Sequence, residues 1–290
     1  QVSEAVSLSF KKERKITPSE KCMVVQVSTR EQAEETAHRK QVAAVIVPAG
    51  LLEQFPDDLL SEKEVYVALP HMFRSYAGKE EQYKKQILRA DGILVSSMDA
   101  YAFVSAFCQS HKVKKKLIFD DTIYQYNTVS RIAYQRDLVQ YDDLTLAYTV
   151  LPSELSIREW EALSVTEGLL KVYGKSLMMT SAQCVKKTLG HCDAAGGVTR
   201  IKDRKGKTYL VVHHCDRCDT ELLEEEPLSL SGCREKIGTR GYSGVLLSFT
   251  TEQPEQMEAI LTAFEKEYLQ KREDFVPVSG NRGHAFSPID

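Results

Sequence analysis

The chain has 290 residues, 38 Lys and Arg against 41 Asp and Glu, a formal net charge of −3 and 42% hydrophobic residues. It is long enough to bury a large core, as one α/β domain or two smaller ones. The balanced charge argues against a whole-surface nucleic-acid footprint. No apolar run reaches about 18 residues, so no membrane partner is expected.

Taken in order, the chain opens on a polar, basic segment, 1–20, which reads as a tail or linker. It begins without Met and is expected to be a processed product or part of a longer parent chain with other domains. Short β-branched runs then alternate with helical patterns. Strands are expected at 22–27, 43–47, 65–69, 92–96, 117–120, 144–150 and 169–173, with an eighth at 244–249. Their apolar residues run continuously instead of alternating, as they do in parallel strands covered by helices. Thr29-x-x-Gln32 and Ser156-x-x-Glu159 read as helix-opening capping boxes. Further helices are expected at 79–90, 99–110 and 128–136, and a last one at 254–272 carries Met257, Ile260, Leu261, Phe264 and Tyr268 on one face. Eight strands alternating with helices predict an α/β fold, a (β/α)8 TIM-barrel-like domain over 21–183 and 240–290. An open doubly wound sheet is the other architecture consistent with the pattern.

The stretch 184–239 interrupts that alternation as a cysteine-rich insertion between the seventh and eighth strands. Cys184 and Cys192 form a C-x7-C pair, and Cys215 and Cys218 a C-x2-C pair. Between them, 198–202 and 208–212 read as a hairpin turning at Asp203-Arg-Lys-Gly206. A hairpin brings its ends together, so the two pairs can meet at its base. Four thiolates at one point suit Zn2+ or a 4Fe–4S cluster, and free thiols or two disulfides are the plainer alternative. His191, His213 and His214 flank the thiols, and Cys233 is an alternate ligand. The odd total of seven cysteines, with Cys22 and Cys108 in apolar stretches, fits reduced thiols and a cytoplasmic setting.

Catalytic groups of a (β/α)8 barrel sit at the C-terminal ends of its strands, here near Asp120, Asp121, Glu154 and Gln183. Adjacent acids at a strand end also serve as helix caps. G-x-G-x-x-G after the first strand, a GK[ST] loop, G-x-S-x-G and H-E-x-x-H are all missing, which removes the commonest nucleotide-binding, hydrolase and zinc-protease patterns.

An ordered series of short motifs carries a family resemblance. It runs Leu151-Pro-Ser-Glu154-Leu155, Val172-Tyr173-Gly174, Leu177-Met178, Ser181-Ala182-Gln183-Cys184, Asp203-Arg204, Cys215-x-x-Cys218 and Pro227-Leu228-Ser229-Leu230. The series resembles peptidase family U32, closest to the C-terminal part of its large, collagenase-related bacterial members, and is densest over 116–250. The resemblance implies a TIM barrel and an enzyme: a peptidase by family name, or an iron–sulfur enzyme hydroxylating an RNA base or a small molecule. It implies Cys184, Cys192, Cys215 and Cys218 as cluster ligands, with Glu154, Asp120 and Gln183 lining a pocket for an RNA, peptide or small-molecule substrate. Beyond the C-x2-C the family's polar residues give way to Asp219-Thr220 and Glu225-Glu226. The alternative is therefore a zinc-ribbon-like structural or docking module in a divergent, inactive copy.

Overall fold

A computed structural model describes residues 21–56, 61–73, 78–138, 140–163, 167–238 and 241–287. The polar segment 1–20, the expected end of the fifth helix near Thr166 and the terminal 288–290 lie outside the described residues.

Seven strands precede the insertion: β1 (Cys22–Gln26), β2 (Val42–Pro48), β3 (Glu64–Ala68), β4 (Gly92–Val95), β5 (Lys115–Phe119), β6 (Leu144–Val150) and β7 (Gly168–Gly174). Five helices alternate with them: α1 (Arg30–Ala37), α2 (Glu80–Arg89), α3 (Met98–His111), α4 (Thr128–Leu138) and α5 (Ile157–Leu163). The insertion contributes β8 (Leu177–Ser181), α6 (Val185–Thr188), β9 (Gly197–Lys202), β10 (Thr208–His214) and β11 (Asp219–Glu224). The chain then returns through β12 (Leu228–Ser229), α7 (Arg234–Ile237), β13 (Gly244–Ser248) and α8 (Pro254–Phe264).

The large sheet runs β12-β7-β13-β1-β2-β3-β4-β5-β6, and β6 also pairs with β7. Removing β12, which is antiparallel to β7, leaves eight parallel strands in a closed ring, a (β/α)8 barrel. Closure explains the continuous apolar runs, because each strand is buried on both faces. Val24, Ile46, Tyr66, Leu94, Ile118 and Leu246 fill the barrel, while Val25, Val45, Val67, Ile93 and Leu117 face the helices. Both capping boxes draw on the expected residues. Thr29 accepts from the Gln32 N–H at 3.3 Å, and the Ser156 N–H donates to Glu159 at 2.7 Å. No helix among the described residues is long and apolar enough to cross a membrane.

Three local features differ from expectation. The insertion begins earlier than 184 and is more than a hairpin. Strands β8 and β11 extend β9 and β10 into a four-stranded antiparallel sheet ordered β8-β11-β10-β9. Residues 228–237 belong to the barrel: Leu228, Leu230, Cys233 and Ile237 are buried in its outer core. The last helix changes to a π turn over Glu265–Leu269. That turn accompanies an inward-facing Glu267, whose carboxylate accepts from the Gly232 and Arg234 N–H groups at 2.9 and 3.1 Å.

The departure point of the insertion depends on Gly174. Its φ of +143° favours glycine, and a Cβ there would stand 2.8 Å from both the Cβ and the carbonyl oxygen of Ser248. Gly174→Ala is expected to cost about 1–3 kcal/mol by overpacking the β7–β13 seam. A urea midpoint equal to that of the parent protein would contradict this.

Candidate active site

A cavity of about 1420 Å³ lies between the C-terminal strand ends of the barrel and the four-stranded sheet, which forms its roof. Pockets for small molecules typically measure roughly 300–1,000 Å³, so this one has room for a larger ligand. The floor comes from residues at and just beyond the ends of all eight barrel strands; the roof comes from β8 to β11.

Of the residues expected at the site, Asp120 and Glu154 line the cavity, and Gln183 does not. Asp120 follows β5 and accepts from the Ser96 hydroxyl at 2.7 Å and the Asp121 N–H at 3.0 Å. Its Oδ2 lies 3.6 Å from His71 Nε2. Glu154 is exposed at the rim and hydrogen-bonds the Tyr126 phenol. Burial first, and then Glu154, pushes that phenol well above the usual tyrosine range. Gln183 sits in the turn leading to α6, where its C=O accepts from Thr220 at 3.2 Å, and its side chain faces solvent.

Four further groups complete the constellation. Asp121 accepts from the Ser153 hydroxyl at 3.2 Å, and its carboxyl lies close enough to the Asp120 carboxylate for the two to act on each other. Its carboxyl is pushed up to about 6, by burial first and the Asp120 charge second, against the opposing pull of Lys171 and Ser153. His71 stands between Asp120 and the roof, close enough for its charge to act on Glu221 of β11. His214 Nε2 lies 3.3 Å from Glu221 but makes no aligned hydrogen bond, although the atom is buried. Lys171 carried a readable signal: a lysine inside the apolar run Leu169-Leu170-Lys171-Val172-Tyr173 needs a polar destination, which is the cavity. His71 sits in a loop with no motif around it, and nothing in the sequence marks it.

The cysteines lie beside this cavity and none of them lines it. Cys184 caps α6 and is buried; Cys192 and Cys218 are exposed; the Cys215 thiol donates to the Ala195 C=O at 3.1 Å. The Cys215 thiol is pushed up by desolvation first, with Lys186 opposing and the Cys184 and Cys192 thiols adding to the rise. These three thiols therefore lie within electrostatic reach of one another at one end of the roof sheet. Cys218 follows across the C-x2-C turn, in a left-handed conformation at φ +56°. Among the described residues, no three His, Cys, Asp or Glu side chains stand in an arrangement that could hold a metal ion. Cys233 is remote from the four: it packs in the barrel's outer core, where Arg282, Glu267 and Lys236 are its charged neighbours. Strand alternation separates the two adjacent histidines. His214 faces the cavity, while His213 Nε2 pairs with the Thr199 hydroxyl at 2.8 Å. His191 is exposed in the turn after α6.

Fold and site together define a closed (β/α)8 barrel whose C-terminal strand ends are roofed by an inserted sheet. No family model and no curated protein matches the chain. Among solved structures, an alanine racemase from Clostridium difficile 630 is similar over 82% of this chain and 91% of its own, with 9% sequence identity and a TM-score of 0.35. The barrel itself is defined by its own strand pairing.

Proposed function

We propose that the chain is an enzyme domain of the U32 type that hydrolyses peptide bonds in the cavity beneath the roof sheet. The carrying observation is the division between the two sites: the carboxylates and the imidazole line the cavity, and the thiols do not. Hydrolysis needs the first set at the substrate. Cluster-dependent hydroxylation of an RNA base or a small molecule would need the second set there. Digestion of gelatin and of a quenched-fluorescent peptide library by the full chain tests this reading. Cleavage that persists unchanged in both Asp120→Asn and Glu154→Gln would remove the cavity from consideration.

In the same reading Cys184, Cys192, Cys215 and Cys218 hold a Zn2+ ion or a 4Fe–4S cluster that ties α6 and the β10–β11 turn together. The donor set fits in kind, and Cys184 and Cys192 lie within electrostatic reach of Cys215, but the side chains as they stand do not converge on one point. Ligation requires the exposed Cys192 and Cys218 side chains to rotate towards the other two. Bound metal would contribute folding energy to the roof sheet and draw protons off the thiols. Anaerobically prepared protein is expected to carry one equivalent of zinc, or iron with absorbance near about 400 nm. Cys215→Ser should lose the metal and loosen the roof. Metal-free protein after reconstitution, with Cys215→Ser as stable as the parent, would dismiss the site. The alternative, a zinc-ribbon-like structural or docking module, predicts the same metal with no cleavage.

A further inference from the structure

The groups on the cavity floor carry a more specific assignment, which rests on the hydrolase reading above. We propose that Asp120 and Asp121 form a proton-sharing carboxyl pair that supplies both the general base and the general acid for cleavage of a peptide amide, with Ser153 as a positioning residue.

Neighbouring residues of a strand point to opposite faces, so two adjacent aspartates do not ordinarily meet. Here the strand ends at Phe119. Asp120, at φ −73° and ψ 162°, caps a 3-10 turn over Asp121–Ile123, and that turn sets both residues on the same cavity. Both line the cavity. Asp120 accepts from the Ser96 hydroxyl and the Asp121 N–H, with His71 Nε2 3.6 Å away. Asp121 receives the Ser153 hydroxyl. Two carboxyls in contact but in unlike surroundings divide into an acid and a base. The raised Asp121 carboxyl agrees with that division. The charged groups acting on the pair are Lys171 from β7 and His71 from the loop after β3, and the Tyr126 phenol feels both Asp121 and Glu154.

Two observations on the roof point to an extended ligand. Leu177, Met178, Met179 and Thr180 are consecutive in β8 and all border the cavity, so the edge of that strand faces it, not one side-chain face alone. Among the described residues β8 pairs only with β11, which leaves main-chain donors and acceptors on its other edge for a peptide strand. His214 Nε2, buried in the roof without an aligned hydrogen bond, is a polar atom that a ligand would satisfy.

The chemistry balances with water as the only co-reactant. The Asp120 carboxylate takes a proton from water as the water oxygen bonds to the amide carbon. Asp121 gives its proton to the carbonyl oxygen, forming a gem-diol. The C–N bond then breaks as Asp120 returns its proton to the leaving nitrogen, and a diol hydroxyl re-protonates Asp121. An acid and an amine leave, and the pair regains its starting state.

The test combines carbon-13 carboxyl NMR of aspartate-labelled full chain with kcat/KM on quenched-fluorescent peptides from about pH 4 to 8. One aspartate of the wild type should titrate near 6 and fall towards the ordinary range in Asp120→Asn. Asp120→Asn and Asp121→Asn should each lower kcat/KM by about 100-fold or more. The alkaline limb of the pH profile should move up in Ser153→Ala, because the hydroxyl that favours the ionised Asp121 is gone; a merely structural serine would leave the limb in place. Ordinary titration of every aspartate, or either Asn variant within about tenfold of wild type, overturns the pair. Wild type that cleaves no peptide while one aspartate titrates near 6 overturns the hydrolase reading, and the catalytic assignment with it, leaving only the shared proton.

Discussion

Glu252→Ala is expected to destabilise the barrel by about 3–5 kcal/mol, the usual cost of stranding one member of a buried ion pair. Glu252 and Lys175 are 7% and 8% exposed, and Lys175 Nζ lies 3.4 Å from Glu252 Oε1. The same carboxylate accepts from the Tyr173 hydroxyl at 3.1 Å and from the Thr250 and Thr251 N–H groups at 2.7 and 3.0 Å. Its backbone C=O receives the Gln32 side chain at 2.9 Å, and Lys175 also reaches the Glu225 C=O at 3.0 Å. One carboxylate thus ties together the ends of β7 and β13 and, through its ammonium partner, the return from the roof sheet. Removal leaves a buried ammonium, a buried phenol and two backbone donors without their acceptor. The paired replacement Lys175→Met with Glu252→Leu should recover much of the loss, because no charge is then left buried. Urea midpoints at constant slope measure both effects. A loss below about 1 kcal/mol in Glu252→Ala would mean that water reaches the pair and screens it.

The barrel was legible because its signal is redundant. Gly92–Val95 is buried at every position, and each of the other seven strands repeats that apolar run with helical periodicity between them. Strands β8 and β11 of the roof have no such signal. Leu177–Ser181 follows β7 after only Lys175 and Ser176, and its residues are half-buried or exposed without alternation. The acidic run at Glu221–Glu226 reads as a solvated face, yet its first four residues lie in β11, where Leu223 is buried and Glu221 and Leu223 face the cavity. Acidic side chains on a sheet that roofs a polar cavity look the same in sequence as acidic side chains in water. The site divides along the same line. Asp120 and Glu154 were readable because a carboxylate just after an apolar run marks a strand end. The His71–Asp120 approach joins loops 49 residues apart, which meet because β3 and β5 flank β4 in the parallel sheet. The thiols were grouped by spacing alone, and spacing could not tell that they lie at the side of the roof and not over the mouth.

Asp121→Asn should raise stability at neutral pH while it removes catalysis, and the pH dependence distinguishes this from ordinary repacking. The Asp121 carboxyl is raised from 3.8 to about 6 in the folded protein, by burial and then by the Asp120 charge. Between those values the folded state holds a proton that the unfolded chain has released, so stability falls as pH rises through the window. At pH 7 both states are ionised and the full penalty is present, on the order of 2–3 kcal/mol, since each tenfold change in an acid constant is worth about 1.4 kcal/mol. Asparagine keeps the shape and an acceptor for Ser153, and it has no charge to bury beside Asp120. The variant should therefore gain on the order of 2 kcal/mol over wild type at pH 7, and nothing near pH 4, where wild-type Asp121 is already protonated when folded. A stability cost of this kind is the trade expected if, as proposed, the two acids act together on a substrate. Urea midpoints of the two proteins at the two pH values settle the matter. A variant no more stable than wild type at pH 7 would mean that solvent, and not Asp120, is the neighbour that governs Asp121.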